Sequence, residues 1–397
     1  MRDSTINQTE QKENNLAVVL RCLMADRDCT RVKLAAKTGL AQATVTKIVS
    51  QLMAWGAVSE QESVGNGVGR RAIRLHLQGE RYRVAAVRIN RDNVAAVLID
   101  LNGRITASAR RETGVQESAE RSMEKLKEML RELIAASPVP VSAIGAAVPG
   151  PFAYHKGRIT LMSGFPNWNR RWHLIDIRGE LEEAFRLPVF VEHDANCGAM
   201  AEFWRQDSNE KNNLMFVVAD MGIGAGMILD SRLYRGKDGF AGEIGHASIQ
   251  IDGPLCECGN RGCLELYASN KALCREYQER TGQTLKVRQI VALVREDDPV
   301  AREVYEKTIY ALSCGLVNII NIINPDTIVF SGRLTAGGTL FMQTMKTVLQ
   351  QRLMPDQMER LTLRVSDPEE DPMLLGAGII AFTSLLETPS AFFNLNK

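Results

Sequence analysis

The chain has 397 residues, 45% of them hydrophobic and 24% charged, with 48 Lys/Arg against 47 Asp/Glu. That is enough to build two or three packed domains, and no apolar run approaches the roughly eighteen residues of a membrane helix. The N-terminus is polar and lacks the apolar segment of a secretion signal, which argues against export and for a soluble, cytoplasmic protein.

The eight cysteines then point to reduced thiols or metal rather than to disulfides. The net charge of +1 becomes informative only by region: residues 1–78 hold eleven Lys/Arg and seven Asp/Glu, a local basic excess.

Residues 14–24 place Leu16, Val19, Leu20 and Leu23 at helical spacing. In the next stretch, VKLAAKTGLAQATVTKIVSQLMAWG, Ala35, Gly39, Val45 and Ile48 stand where a helix-turn-helix needs a small residue, a turn glycine and two core contacts. Burying Val45 and Ile48 leaves Gln42, Ala43, Thr44, Thr46 and Lys47 near the exposed N-terminal half of the second helix, suited to base edges and phosphates. AVSEQES and RRAIRLHL alternate as two strands around the tip VGNGVGRR, which predicts a winged helix. Arg70 and Arg71 stand at the base of the wing, within reach of phosphate or minor groove. The alternative is a small helical module with no DNA role. Residues 1–78 are assigned to this domain and 78–83 to a polar connector.

From Tyr82 the pattern becomes apolar strands (VAAVRIN, NVAAVLIDLNGRITA), a helix over 118–136 and a buried strand, VSAIGAAVPGP. A similar order recurs from NLMFVVADMGIGAGMILD, followed by helices. This predicts an α/β protein of two lobes with a cleft between them, the first over 79–195 and the second over 196–372. Residues 271–312 read as helical with one charged, solvated face, and a helix over 303–323 stops at Asn324-Pro325. A closing helix, 373–387, is rich in small residues and could pack on the first lobe or on another subunit.

Gly242 to Glu265 reads GEIGHASIQIDGPLCECGNRGCLE. His246, Cys256, Cys258 and Cys263 make a closed Cys₃His set, the ligand type and number of a structural zinc site, with Gly259 and Gly262 permitting tight turns. Buried reduced cysteines or a redox pair are the alternatives. A zinc-bound imidazole keeps one ring nitrogen for an outside oxygen, and Glu243 and Glu265 nearby could accept bonds from ligand hydroxyls or serve only as surface or supporting charges. The remaining cysteines, Cys22, Cys29, Cys197, Cys274 and Cys314, read as small core residues.

GFAGEIGH followed by CECGNRGCLE resembles the signature of the ROK family, which groups bacterial sugar repressors, open reading frames and sugar kinases; the resemblance extends over about residues 84–386. It implies an actin-like, hexokinase-like ATPase fold with a duplicated βββαβαβα arrangement. It also implies that Glu243, His246 and Glu265 bind sugar hydroxyls, that His246 with the three cysteines binds zinc, and that the N-terminal domain binds operator DNA.

Within that resemblance the two halves of the cleft fare differently. The phosphate turn Asp-x-Gly-Gly-Thr falls on Arg88-Ile89-Asn90-Arg91-Asp92, so Arg88 stands for the metal-orienting aspartate, Asn90 and Arg91 for the glycines, and Asp92 for the threonine. Phosphate cradling needs open backbone N–H groups, and a carboxylate at Asp92 repels phosphate. The second loop, DMGIGAGM at 220–227, has Asp220-Met221 for Gly-Thr, and Ser331-Gly332-Arg333 replaces a Gly-Gly turn near adenosine.

The sugar side matches better. VEHDANCGAMAEF at 191–203 fits the family's Asn-Asp-Ala-Asn, with His193 for the first asparagine and Asp194 at the position of the kinases' general base. Asp194 and Asn196 could instead cap a helix over 196–205. FPNW at 165–168 brings Asn167 to a sugar-contacting position; Trp168 and Trp172 either flank a polyol or lie in the core.

The sequence therefore predicts a sugar-responsive transcriptional regulator acting as a repressor: a homodimer or homotetramer with structural Zn²⁺, operator DNA and a sugar or derivative as partners, and room for a protein partner. ATP binding is expected to be weak or absent and kinase activity lost. The rival reading is a zinc-containing kinase phosphorylating a hexose or amino sugar with ATP.

Overall fold

A computed structural model of the chain describes residues 8–25, 29–62, 73–114, 117–153, 158–159, 167–206 and 213–395. Helix α1 (Gln8–Ala25) begins earlier than its apolar pattern, its buried stripe running through Leu16, Val19, Leu20 and Leu23. Helix α2 (Arg31–Thr38) starts where the Thr30 hydroxyl accepts the Lys33 N–H and ends at Gly39, whose φ of 69° lets its N–H reach the Ala35 carbonyl. Helix α3 (Gln42–Ala54) buries Val45, Ile48, Val49 and Leu52. Strands β1 (Val58–Glu62) and β2 (Ile73–Leu77) pair antiparallel as a wing. An Arg31–Glu60 ion pair and the bond from Leu75 N–H to the Cys29 carbonyl (2.8 Å) hold the wing to the helices. Arg70 and Arg71 lie outside the described residues.

The first lobe runs β3 (Arg83–Ile89), β4 (Asn93–Asp100), β5 (Ile105–Glu112), α4 (Ala119–Ala135), β6 (Val141–Val148), the short pair β7 (Phe152–Ala153) and β8 (Arg158–Ile159), α5 (Ile177–Phe185) and β9 (Val189–His193). Its sheet is ordered β5-β4-β3-β6-β9, with β3–β6 and β6–β9 parallel and the rest antiparallel. The central strands are buried on both faces, whereas β5 alternates toward solvent, as an edge strand should. Ser118 caps α4, whose buried face packs on β4 and β5.

The second lobe repeats the plan. Helix α6 (Asp194–Trp204) leads into β10 (Leu214–Ala219), β11 (Ile223–Leu229) and β12 (Arg232–Leu233). The cysteine loop follows, then α7 (Glu265–Ala268), α8 (Asn270–Thr281), α9 (Val287–Arg295), α10 (Pro299–Ile323), β13 (Thr327–Ser331), α11 (Thr339–Arg352), α12 (Pro355–Arg360) and β14 (Thr362–Val365). The order β12-β11-β10-β13-β14 mirrors the first sheet.

One expectation needs correction here. The helix expected over 303–323 starts at Pro299, because the Asp298 side chain caps it and Pro299 fits the first turn. The stretch 271–312 keeps an exposed charged face and, on its other face, buries Leu273, Tyr277, Ile290, Tyr305 and Ile309 against the second sheet's outer core. Cys29 and Cys197 are buried, and Cys22, Cys274 and Cys314 are half-buried.

Helix α13 (Pro372–Leu385) is buried all round from Pro372 to Phe382, the pattern of a helix enclosed by protein. It lies against β3, β6 and β9 on one side and against α6 on the other, so it packs within its own chain. The contact is backbone to backbone: a Cβ on Gly376 would stand 1.7 Å from the Cys197 carbonyl oxygen. Helix α14 (Pro389–Leu395) ends the described chain. No described helix is long and apolar enough to cross a membrane.

Gly376→Ala tests this packing. In an open helix that change gains about 1 kcal/mol. Here the overlap with Cys197 should turn it into a net loss of about 1–3 kcal/mol or more in chemical denaturation. Wild-type stability in this variant would contradict the helix approach described.

Candidate functional site

The loop after β12 folds back onto the second sheet through Gly242. Its φ is 92°, its carbonyl accepts the Ala225 N–H (2.8 Å), and a Cβ there would sit 1.8 Å from the Ala225 carbonyl oxygen. This pins the short turn Ile244–His246 against β11. Beyond it, left-handed Gly259 and Gly262 wind the chain past the cysteines. His246 Nδ1 lies 3.7 Å from Cys256 Sγ, Cys258 Sγ lies 3.7 Å from Cys263 Sγ, and all four donor atoms fall within 4.8 Å of one another.

A tetrahedral ion bound at about 2.3 Å to sulfur sets sulfur–sulfur edges of about 3.8 Å, so the donor set fits a closed four-ligand metal site. Burial and the neighbouring thiols push the Cys263 thiol up to about 12, so without a cation among them the thiols stay protonated.

With Nδ1 turned to the sulfurs, His246 keeps Nε2 for the cleft that it lines with His193, Asp194, Glu243 and Glu265. Five of the six predicted sugar residues thus converge. The sixth, Asn167, opens the 3-10 helix Asn167–Leu174, and its side chain lies outside those described. Trp172 is core, 1% exposed.

Strand β9 ends at His193 and α6 begins directly at Asp194, two residues earlier than expected, with no side-chain cap bond. The capping alternative fails because the Asn196 amide donates to buried Glu192 (2.9 Å), which also accepts the His193 N–H and the Arg235 guanidinium. The Asp194 carboxylate instead faces His193 Nε2 at 3.3 Å. Glu265 accepts the Ile223 N–H (3.1 Å) and so is fixed to the second phosphate-loop position.

Glu243 Oε1 and His193 Nδ1 are buried and have no partner among the described residues. Each such group costs about 1–3 kcal/mol unless a ligand completes it. Hydroxyl groups, which both donate and accept, match that need.

The turn that aligns with the kinases' phosphate turn carries ion pairs. Arg88 donates from one guanidinium nitrogen to both oxygens of Asp371 (2.9 Å each), and Arg110 reaches the same carboxylate at 3.2 Å. Asp371 also caps α13 through the Leu374 N–H (3.1 Å). Asp92 pairs with Arg333 of the opposite lobe at 2.7 Å, and Arg333 lies 3.7 Å from Asp220. Arg91 enters the cleft beside Asp220, Glu265 and Asp194, where burial lowers its guanidinium pKa against their attraction. Burial likewise raises Asp220, while Arg333 and Arg91 hold it down. Sequence reasoning singled out Arg88, Asp92 and Arg333 as departures but not their partnerships, and it missed Asp371. The one local signal for Asp371 was its place before Pro372 at a helix start.

On α3, Gln42, Ala43, Thr46 and Lys47 are exposed and Thr44 is half-buried, all on the N-terminal half.

Glu243 yields a pH prediction. Burial raises its carboxyl above the ordinary range, with His193 and His246 opposing. A raised acid favours the protonated fold, so its contribution is full below the unfolded carboxylate pKa and is lost as pH rises through the folded one. Glu243→Gln should melt higher than wild type at pH 7, with an advantage that shrinks toward pH 4. A pH-independent difference in melting temperature would contradict this.

Comparison with known proteins agrees with this geometry. The ROK family profile matches residues 84–383. The xylose repressor of Bacillus subtilis (strain 168) is 30% identical over 384 residues, covering 96% of this chain and 98% of the relative. The DNA-binding transcriptional dual regulator NagC of Escherichia coli (strain K12) is 29% identical, covering 85% of each chain. Among solved structures, a ROK family transcriptional regulator homologous to E. coli MLC superposes with a TM-score of 0.79 over 98% of this chain and 99% of its own, at 24% identity. A ROK hexokinase from Thermus thermophilus gives 0.65 at 28% identity, covering 76% of this chain and 99% of its own. The hexokinase thus matches about three quarters of the chain, whereas the xylose repressor and the MLC homologue match nearly all of it. The chain belongs to the ROK family, in its repressor branch.

Proposed function

We propose that this protein is a sugar-responsive transcriptional repressor whose sensor descends from a sugar kinase and no longer binds ATP. The observation that carries the reading is the asymmetry of the cleft. Its carbohydrate half presents His193, Asp194, Glu243, His246 and Glu265, with orphaned polar atoms suited to hydroxyls. Its other half carries the ion pairs Arg88–Asp371 and Asp92–Arg333 at the turn that aligns with the kinases' phosphate turn, where phosphate binding needs open backbone. The names of the full-length relatives, xylose repressor and dual regulator NagC, support a regulator over an enzyme.

In this reading residues 1–78 bind operator DNA through Gln42, Ala43, Thr44, Thr46, Lys47, Arg70 and Arg71, residues 79–195 with 373–387 form the first lobe, and 196–372 the second. Asn167 completes the sugar contacts. Two copies place their recognition helices on half-sites about 34–36 Å apart, so a small change in lobe angle suffices to lose register. His246, Cys256, Cys258 and Cys263 hold zinc, which fixes the His246 tautomer and aims Nε2 at a ligand hydroxyl; the metal's contribution is structural.

Two outcomes follow. Purified protein should carry about one zinc per chain by elemental analysis, and Cys258→Ser, which removes an exposed thiol, should lose the metal and melt lower. Metal-free wild-type protein of unchanged stability would refute the zinc assignment. In a thermal-shift screen, at least one sugar from a panel including D-xylose and N-acetylglucosamine should raise the melting temperature, while MgATP should not, and no ADP should be released. Turnover with ATP would restore the kinase reading.

A further inference from the structure

Helix α14 fills the corner between the winged helix and the first lobe. The Ser390 N–H donates to Glu13 of α1 (3.0 Å). Phe393, 1% exposed, stacks on Trp55 with ring centroids 5.2 Å apart, and Trp55 is the C-cap that follows α3. Phe393 also meets Tyr82 edge-on at 5.2 Å, and Phe392 packs on both (5.5 Å to Tyr82, 4.9 Å to Phe393). The Tyr82 hydroxyl donates to the Trp55 carbonyl (3.4 Å). These rings belong to one continuous core that runs from α1 and α3 through α14 to α13 and the inner face of the first sheet.

Two straight elements connect that cluster to the cleft. Strand β3 starts immediately after Tyr82 and ends beside Arg88. Helix α13 starts at Asp371, the partner of Arg88, and ends just before α14. Seven strand residues span about 23 Å and fourteen helical residues about 21 Å, so the two elements are matched in length. Each has one end in the Arg88–Asp371 pair and the other in the aromatic cluster under the recognition helix.

We infer that the cluster Trp55–Tyr82–Phe392–Phe393 is the coupling joint of the molecule: β3 and α13 carry the state of the Arg88–Asp371 pair to α3, with α14 as the chain's own partner for the winged helix. The inference rests on the sugar-sensor reading only for what disturbs the pair in nature; the mechanical link stands on the packing. A stacked ring pair is directional, so a shift of α13 relative to β3 turns Trp55 and the end of α3 with it. The alternative is that α14 is a static prop that stabilises the winged helix and transmits nothing.

Hydrogen–deuterium exchange on the full-length chain separates the two. Asp371→Asn, made at the cleft end, should speed exchange of the Gln51–Trp55 amides by about tenfold while α10 in the second lobe is unchanged. Arg88→Lys, which keeps the charge but loses the planar fork, should act in the same direction and serves if the first variant folds poorly. In a Phe393→Ala background those amides should already exchange faster, and Asp371→Asn should add less than about twofold. A cleft variant that leaves Gln51–Trp55 unchanged, or whose effect is as large in Phe393→Ala as in wild type, would overturn the coupling. D-xylose and N-acetylglucosamine on the wild type form a separate arm. Lack of protection in the cleft would count against the sugar reading alone, whereas cleft protection with no change in α3 would overturn the coupling.

Discussion

The rest of the molecule depends on the place where α13 and α6 cross at backbone distance. Gly376 against the Cys197 carbonyl leaves no room for a side chain, and Gly145 makes a similar approach from β6, where a Cβ would lie 2.0 Å from the Ala377 carbonyl oxygen. The two helices therefore fill the space between two sheets of the same topology as a rigid pair. That pair fixes the N-terminus of α6, hence Asp194, and the N-terminus of α13, hence Asp371. One helix end places Asp194 in the cleft and the other holds Arg88, so these groups inherit their spacing from a steric contact in the core.

At the turn that aligns with the kinases' phosphate turn, the cleft carries a charge network of its own. Open backbone at a hairpin turn binds phosphate; the same turn carrying Arg88, Arg91 and Asp92 makes charges that must be satisfied within the protein. They are matched by Asp371, by Asp220 and Glu265, and by Arg333 respectively. Of these, Arg88 and Asp371 are mostly buried, and removing either would leave the other uncompensated; the Asp92–Arg333 pair is half exposed and screened by solvent. This network joins the lobes at one wall of the cleft, while His246, turned by its Nδ1 toward Cys256, and the unpartnered Glu243 oxygen line the opposite wall.

Much of this was legible in the sequence because it is local. The wing, the turn at Gly39 and the apolar strands β3, β4 and β6 follow from spacing within about twenty residues, and so does the Cys₃His loop, whose ligands lie close together in the chain. The pairings were not legible. Arg88 with Asp371 and Asp92 with Arg333 join positions far apart in sequence, and charge alone does not say which carboxylate a guanidinium will meet. The start of α6 was misplaced for a related reason: Asn196 looked like a cap, but buried Glu192 takes its amide. Phe392 and Phe393 drew no attention as a short apolar run after Pro389, since their importance lies in Trp55 and Tyr82, which only the fold brings to them.

The central claim is that the cleft answers to sugar and that the answer reaches DNA. The most direct test starts from a duplex selected by the full-length protein from a random pool, followed by measurement of its dissociation constant at fixed salt across a panel of sugars, sugar phosphates and MgATP. A sensor of this kind should release the duplex at least about tenfold more readily with one carbohydrate class and be indifferent to MgATP alone. A duplex held equally tightly under every sugar, or released by MgATP, would contradict it.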